Sequence, residues 1–242
     1  MELAFDDITI QVDDEHSING WFLLVDEGVD VKGTVYFLHG NAQNISHHLA
    51  SVYWLPEQGY QVFLIDYSGY GQSTGTPLIP DVFDDINAGF NWLVNQPEVQ
   101  HKPVYMLGQS LGASMSGYLV ATQPKMREQL SAVILDAGFT SYSEIAKHIA
   151  SSNWLTWLAQ YPVSWAMPSG YDLIDVVANI SPTPLLIIHG KQDNIIPYSY
   201  SQQLLAKAGQ PKAMLSYNGG HIATFNDEGN QKLLLQFLQR YR

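Results

Sequence analysis

Residues 104–113 read Val104-Tyr105-Met106-Leu107-Gly108-Gln109-Ser110-Leu111-Gly112-Ala113. The first four form a short, continuous apolar run of the kind found in strands buried on both faces. Residues 111–123 read as a helix that stops before Pro124. Between them lies G-x-S-x-G, which puts a serine on a sharp strand-to-helix turn. Its two glycines keep Cβ atoms out of the crowded turn, and Gly112, Ala113 and Gly117 let the helix lie close to the sheet.

The same alternation extends in both directions. Residues 5–12 and 21–25 read as an antiparallel start around a turn-rich 13–20. Further strands are expected at 33–38, 61–65, 104–107, 132–135, 185–188 and 213–217. Helical patterns fall at 81–95, 111–123, 200–208 and 230–241; the first carries Val82, Phe83, Ile86, Phe90, Trp92 and Leu93 on a 3.6-residue stripe. Strand and helix in alternation argue for an α/β fold, a mostly parallel sheet with helices on both faces. The whole of 1–242 is expected to form one domain. Such sheets place their chemistry in the loops at the carboxyl ends of the strands.

Composition narrows the function classes. Apolar residues make up 46% of the 242, enough for a sizeable core. Eleven basic residues against 23 acidic ones give a net charge of −12 with neutral histidines, which repels nucleic acid and anionic membrane surfaces. With no cysteine there is no disulfide, thiolate zinc site, iron–sulfur cluster or cysteine nucleophile. No run approaches the roughly 20 apolar residues of a membrane span. The start, Met1-Glu2-Leu3-Ala4-Phe5-Asp6-Asp7, has neither the basic nor the apolar region of a signal peptide, so a cytoplasmic protein without membrane insertion is expected.

The loops supply the chemistry. G-x-S-x-G occurs a second time, at Gly71-Gln72-Ser73-Thr74-Gly75, but Pro77 and Pro80 follow and no helix can open at once. Ser110 is therefore the expected nucleophile and Ser73 a loop residue. A serine hydroxyl needs a base. Of the eight histidines, His221 in Gly219-Gly220-His221 follows the last strand and lies at the same sheet edge as Ser110. His39 and His189 also end strands but sit in His-Gly pairs that fit loop shaping. His47-His48 points to two faces, against a metal pair, and His16, His101 and His148 read as surface or loop residues. The base needs a carboxylate to fix its tautomer. Asp193 follows strand 185–188 and completes the chain order Ser, Asp, His, with Asp136 as the rival. An oxyanion hole is expected from the backbone N–H groups of Leu111 and of Asn41, or its neighbour Ala42, after strand 33–38.

In order along the chain, Phe37-Leu38-His39-Gly40-Asn41-Ala42, Asp66-Tyr67-Ser68-Gly69-Tyr70-Gly71-Gln72-Ser73, Gly108-Gln109-Ser110-Leu111-Gly112, His189-Gly190-Lys191-Gln192-Asp193 and Gly219-Gly220-His221 resemble an α/β-hydrolase of the serine-hydrolase type. The His-Gly-Asn-Ala and Asp-Tyr-x-Gly-Tyr-Gly pieces are most similar to the branch with serine aminopeptidase-like proteins and acyl-protein depalmitoylases. That branch often has a basic residue where this chain has Ser68. The resemblance implies the α/β-hydrolase fold, an eight-stranded sheet with its second strand antiparallel and a short cap insertion at 139–183. Trp154, Trp157, Trp165, Tyr142, Tyr161 and Tyr171 fall in that insertion and fit either an apolar lid over an acyl pocket or simple packing onto the sheet.

Other classes fit less well. Gly69-Tyr70-Gly71 lacks the third glycine of a dinucleotide loop, and no P-loop pattern occurs. The expectation is a serine hydrolase without cofactor or metal, acting on carboxylic esters or thioesters of short to medium acyl groups. Amide hydrolysis of the aminopeptidase kind and a non-catalytic binding protein on the same fold are the alternatives. The partner is a small-molecule or acyl substrate.

Overall fold

The computed structural model describes residues 5–25, 28–151, 161–162 and 166–242. Its strands are β1 (Phe5–Gln11), β2 (Ser17–Leu23), β3 (Gly33–Leu38), β4 (Tyr60–Ile65), β5 (Val104–Gln109), β6 (Ala132–Asp136), β7 (Leu185–Gly190) and β8 (Lys212–Tyr217). They form one sheet in the order β1-β2-β4-β3-β5-β6-β7-β8. β2 runs antiparallel to β1 and β4, and all other neighbours are parallel. This is the mostly parallel eight-stranded sheet of the α/β-hydrolase fold.

Among the described residues, helices are formed by α1 (Ile45–His48), α2 (Asp81–Val94), α3 (Leu111–Thr122), α4 (Pro124–Glu128), α5 (Tyr142–Ser151), α6 (Leu173–Val176), α7 (Tyr198–Lys207) and α8 (Glu228–Arg240). Alternation along the strands sends side chains to two cores. Tyr36 and Leu38 of β3 join Phe63, Met106, Val133 and Ile187 on one face, covered by α2, α3 and α7. Val35 and Phe37 join Val62, Leu107 and Ile134 on the other, covered by Ile45, Leu55 and α8. The central strands β3, β4, β5, β6 and β7 are buried throughout, which is why they read as unbroken apolar runs. The edge strands β1 and β8 are mostly exposed or half-buried.

The antiparallel start is as expected, but its second strand begins earlier. β2 begins at Ser17, inside the stretch read as turn, because Ser17, Asn19 and Gly20 hide a strand behind polar and small residues. Gly20 is needed there: a Cβ would meet the carbonyl of Leu64 at 2.7 Å and the Phe63 ring at 2.9 Å. Tight packing on β4, not local preference, makes this segment a strand.

Residues 139–183 join β6 to β7 through α5, α6 and a 3-10 turn, Val177–Ile180. Trp154, Trp157 and Trp165 lie outside the described residues. Tyr142 packs edge-on against Phe139, and Tyr171 against Phe83 and Tyr118, whereas Tyr161 is exposed beneath the Lys147 ammonium. No helix among the described residues is long and apolar enough to cross a membrane.

The register brings the functional loops to one rim. Leu38 pairs with Ile65 and Gly108, Gly108 with Leu135, Asp136 with Ile188, and Gly190 with Tyr217. The loops bearing Asn41, Ser110, Asp193 and His221 therefore leave the same end of the sheet. Chain order reverses direction between β3 and β5, the topological switch where open α/β sheets bind ligands. Asn41 and Ser110 flank it.

Candidate active site

Ser110 stands between β5 and α3 with φ 55° and ψ −114°, a left-handed backbone that a serine adopts only under constraint. Its N–H donates to the Asp136 carbonyl at 2.8 Å. The glycines on either side are sterically required. A Cβ on Gly108 would run into the Gly112 backbone, and one on Gly112 into the carbonyls of Leu38 and His39. The elbow thus presses its helix against the end of β3. Gly40 is close by: a Cβ there would lie 3.4 Å from that of Ser110.

His221 leaves β8 through Gly219 and Gly220, whose carbonyls fill the space where a Cβ of Gly190 would stand. Gln192 N–H donates to the Gly219 carbonyl at 3.0 Å, joining the two loops. Across that seam His221 Nδ1 donates to Asp193 Oδ2 at 2.7 Å. The Asp193 side chain is fully buried. Its Oδ1 accepts from the N–H groups of Ile195 and Ile196 at 2.8 and 2.9 Å. His189 Nε2 lies 3.2 Å from Oδ2 and donates to the Ile196 carbonyl at 3.0 Å, while Nδ1 accepts from the Ser201 hydroxyl. Burial pushes the Asp193 carboxyl up, but donation from His189, His221 and the two backbone N–H groups outweighs it and holds the group well below the usual carboxylate range. An ionised Asp193 fixes the proton of His221 on Nδ1 and leaves Nε2 as the basic nitrogen.

The rival carboxylate has different partners. Asp136 is fully buried, and its Oδ2 accepts from Gln109 Nε2 at 2.9 Å and its Oδ1 from Thr224 Oγ1 at 2.8 Å. Gln109 precedes Ser110, and Thr224 follows His221 by three residues. Asp136 therefore ties the serine turn to the histidine loop. Burial raises its pKa to about 6 in spite of both donors.

Leu111 opens α3, so its N–H has no intrahelical acceptor. Asn41 lies opposite, and Tyr70 donates its hydroxyl to the Asn41 carbonyl and Oδ1 at 3.0 and 2.9 Å. Ala42 also faces the site, and its carbonyl accepts from His48 Nε2 at 2.8 Å. Behind this loop His39 is fully buried. Its Nδ1 donates to the Gly40 carbonyl at 2.7 Å, and burial pushes its pKa down to about 3. Asp66, 3.4 Å from His39 Nε2, is raised by burial to about 6. His39 is thus a neutral ring that shapes the loop.

Ser110, His221, Asn41, Ala42 and Leu111 line one cavity of about 380 Å³. Its remaining described wall is almost wholly apolar, with Phe139, Ile145, Ile149, Ile195 and Ile196, and contains no Asp, Glu, Lys or Arg. The Tyr142 hydroxyl beside it is buried without a hydrogen-bond partner among the described residues.

Ser73 stands apart from that cavity. Its hydroxyl accepts from Asn19 N–H at 2.9 Å and donates to the Asp66 carbonyl at 2.7 Å, clamping the 66–75 loop to β2. His16 lies in the loop before β2, as read from sequence, and is half-buried. It bridges Asp13 at 2.6 Å and the buried Asp85 at 3.1 Å, and Asp85 in turn accepts from Ser68 N–H and Oγ–H. No group of three or more His, Cys, Asp or Glu among the described residues is placed to hold a metal. Sequence reasoning missed the donor role of His189, the Asp136 tie and the Tyr70 brace: His189 shares a stretch with Asp193, but the direction of its ring is set by Ser201 and Ile196, and the other two join residues that carry no shared motif.

Fold and rim together define an α/β-hydrolase. The chain belongs to the serine aminopeptidase S33 family of hydrolases, whose pattern it matches over residues 29–180. It is 34% identical over 213 residues to the uncharacterized protein YfhR of Escherichia coli (strain K12), covering 87% of this chain and 71% of that one. It is 27% identical over 256 residues to the α/β hydrolase domain-containing protein WAV2 of Arabidopsis thaliana, covering 100% and 80%. Among solved structures, the Pyrococcus furiosus esterase Pf2001 superposes with a TM-score of 0.79 at 21% identity, over 99% of this chain and 92% of that one.

Proposed function

We propose that this protein is a cofactor-free serine hydrolase that cleaves carboxylic esters or thioesters of short to medium acyl groups through an acyl-enzyme. The observation that carries the reading is the His221–Asp193 bond of 2.7 Å behind a cavity lined by both His221 and Ser110. Ser110 Oγ attacks the acyl carbon as His221 Nε2 takes its proton. The Asn41 and Leu111 N–H groups receive the oxyanion, each worth about 2.7–4 kcal/mol of transition-state stabilisation. His221 then gives the proton to the departing oxygen or sulfur. Water repeats the sequence on the acyl-Ser110 ester, with His221 again as base and then acid. Membership of a hydrolase family and the fold shared with an esterase support the assignment.

Amide hydrolysis of the aminopeptidase kind draws support from the family description. It requires a carboxylate to hold the substrate ammonium, and the described cavity wall contains none. Esters are therefore the favoured class. A fluorophosphonate probe tests the reading. Stoichiometric labelling that is lost in Ser110→Ala, with hydrolysis of 4-nitrophenyl butyrate falling at least about a thousandfold, is expected. A protein that takes up no probe and hydrolyses neither esters nor thioesters overturns it and favours a binding protein on this fold.

A further inference from the structure

A second cavity, about 600 Å³ in volume, opens beside the first. The two share Asn41, Leu111, Tyr142 and Met167 as walls, but Ser110 and His221 line only the first. Tyr67, Leu78, Ile79, Val82, Met115 and Pro168 complete most of the second. Two of its three tyrosine hydroxyls are turned to protein acceptors, Tyr67 to the His39 carbonyl at 2.9 Å and Tyr70 to Asn41, and that of Tyr142 is buried, so the wall offers a ligand mainly apolar surface. Met115 and Met167 are flexible thioethers that adapt to chains of different length. Neither described wall includes Lys or Arg.

The division follows from the proposed acyl transfer. The tetrahedral carbon carries Ser110 Oγ, the oxyanion, the leaving oxygen and the acyl arm. His221 can protonate the leaving oxygen only if that oxygen and its substituent stay on the histidine side, within the first cavity. The oxyanion turns to Asn41 and Leu111. The acyl arm is left pointing away from His221, and past those two residues the second cavity begins.

We infer that the second cavity is the acyl subsite and the first the alcohol subsite, so that the substrate is an ester with an uncharged aliphatic acyl chain and an uncharged apolar alcohol. This rests on the serine-hydrolase reading. Leu78 is 57% exposed at the second cavity and Ile149 54% exposed at the first, so a larger side chain at either narrows one subsite without disturbing the core. The test measures kcat/KM along two ester series. One has 4-nitrophenol as the constant alcohol and acyl groups from acetate to laurate; the other has butyrate as the constant acyl group and alcohols from methyl to naphthyl.

Leu78→Trp is expected to lower laurate relative to acetate by about tenfold and to leave the ranking of alcohols unchanged. Ile149→Trp is expected to reorder the alcohols and leave the acyl ranking unchanged. Leu78→Phe, a smaller change at the same exposed position, should repeat the Leu78→Trp pattern in lesser degree and guards against a poorly folded variant. The crossed pattern, or rankings that none of the three alters, overturns the assignment. Failure of the serine-hydrolase reading looks different: the unaltered protein then hydrolyses no member of either series.

Discussion

Replacing Asp136 with Asn should stabilise the protein at pH 8. The carboxyl is fully buried, and burial outweighs its two neutral donors and the nearby His189 and His221 rings, raising its pKa from 3.8 to about 6. An unfolded aspartate titrates near 3.9. Between about pH 4 and pH 6 the folded protein therefore holds a proton that the unfolded chain has released. The associated stability is fully present below about pH 4 and is lost as the pH rises through 6. At 1.36 kcal/mol per pH unit, the charged form costs the folded state about 3 kcal/mol above that range. An amide carries no such cost. It can still accept from Thr224, and Gln109 Oε1, a buried oxygen without a partner among the described residues, can accept from the new amide once the Gln109 side chain rotates. Urea denaturation of both proteins across pH 4.5–8 measures the difference. The variant's advantage should grow by about 2 kcal/mol over that range, to a total of about 3 kcal/mol or about 6–12 °C in melting temperature at pH 8. Asp66 and His39 titrate equally in both proteins and cancel. A variant that is less stable at pH 8, or whose advantage does not change with pH, refutes the account of a buried, unpaired charge.

Asp193→Asn should keep the fold and reduce kcat by about 10,000-fold, because an amide no longer holds the proton of His221 on Nδ1; an activity loss below tenfold in steady-state hydrolysis would assign orientation of the base to another group. Since the Asp193 carboxyl is held low, its contribution to stability is complete above about pH 4 and is lost as the pH falls through its folded value. Acid denaturation monitored by circular dichroism should accordingly show a less steep loss in that variant than in the unaltered chain. Ser73→Ala leaves Asn19 N–H without its acceptor and should cost about 1–3 kcal/mol by chemical denaturation while retaining full fluorophosphonate labelling. Loss of labelling equal to that of Ser110→Ala would move the nucleophile to the other elbow.

The residues that identify the site from sequence do so through backbone demands. Gly108, Ser110 and Gly112 must permit a strained turn and a close helix, and only certain residue types allow that, so the demand is visible within five positions. The buried strands were legible for a similar reason: β3 matches its apolar run at both ends, and β5, β6 and β7 extend one or two residues further. β2 was legible only in part: residues 21–23 fall in the run read as a strand, but Ser17, Asn19 and Gly20 are strand-like only once Phe63 packs on Gly20. Asp136 and Asp193 illustrate the limit in the site. Each follows a strand and each is acidic. Which one meets His221 depends on how the 190–193 and 217–221 loops seat on each other, and no local pattern records that seating.

The alternation of apolar runs with helices, and the order Ser110, Asp193, His221 along the chain, were determined by sequence alone, because turn geometry and burial act on neighbouring residues. Tertiary structure alone decided that Asp136 joins Gln109 to Thr224, that His189 supports Asp193, and that Leu111, Asn41, Tyr142 and Met167 divide two cavities. Except for His189 and Asp193, which lie four positions apart on one loop, those contacts join residues far apart along the chain, and their distances and directions exist only after the whole sheet has assembled its rim.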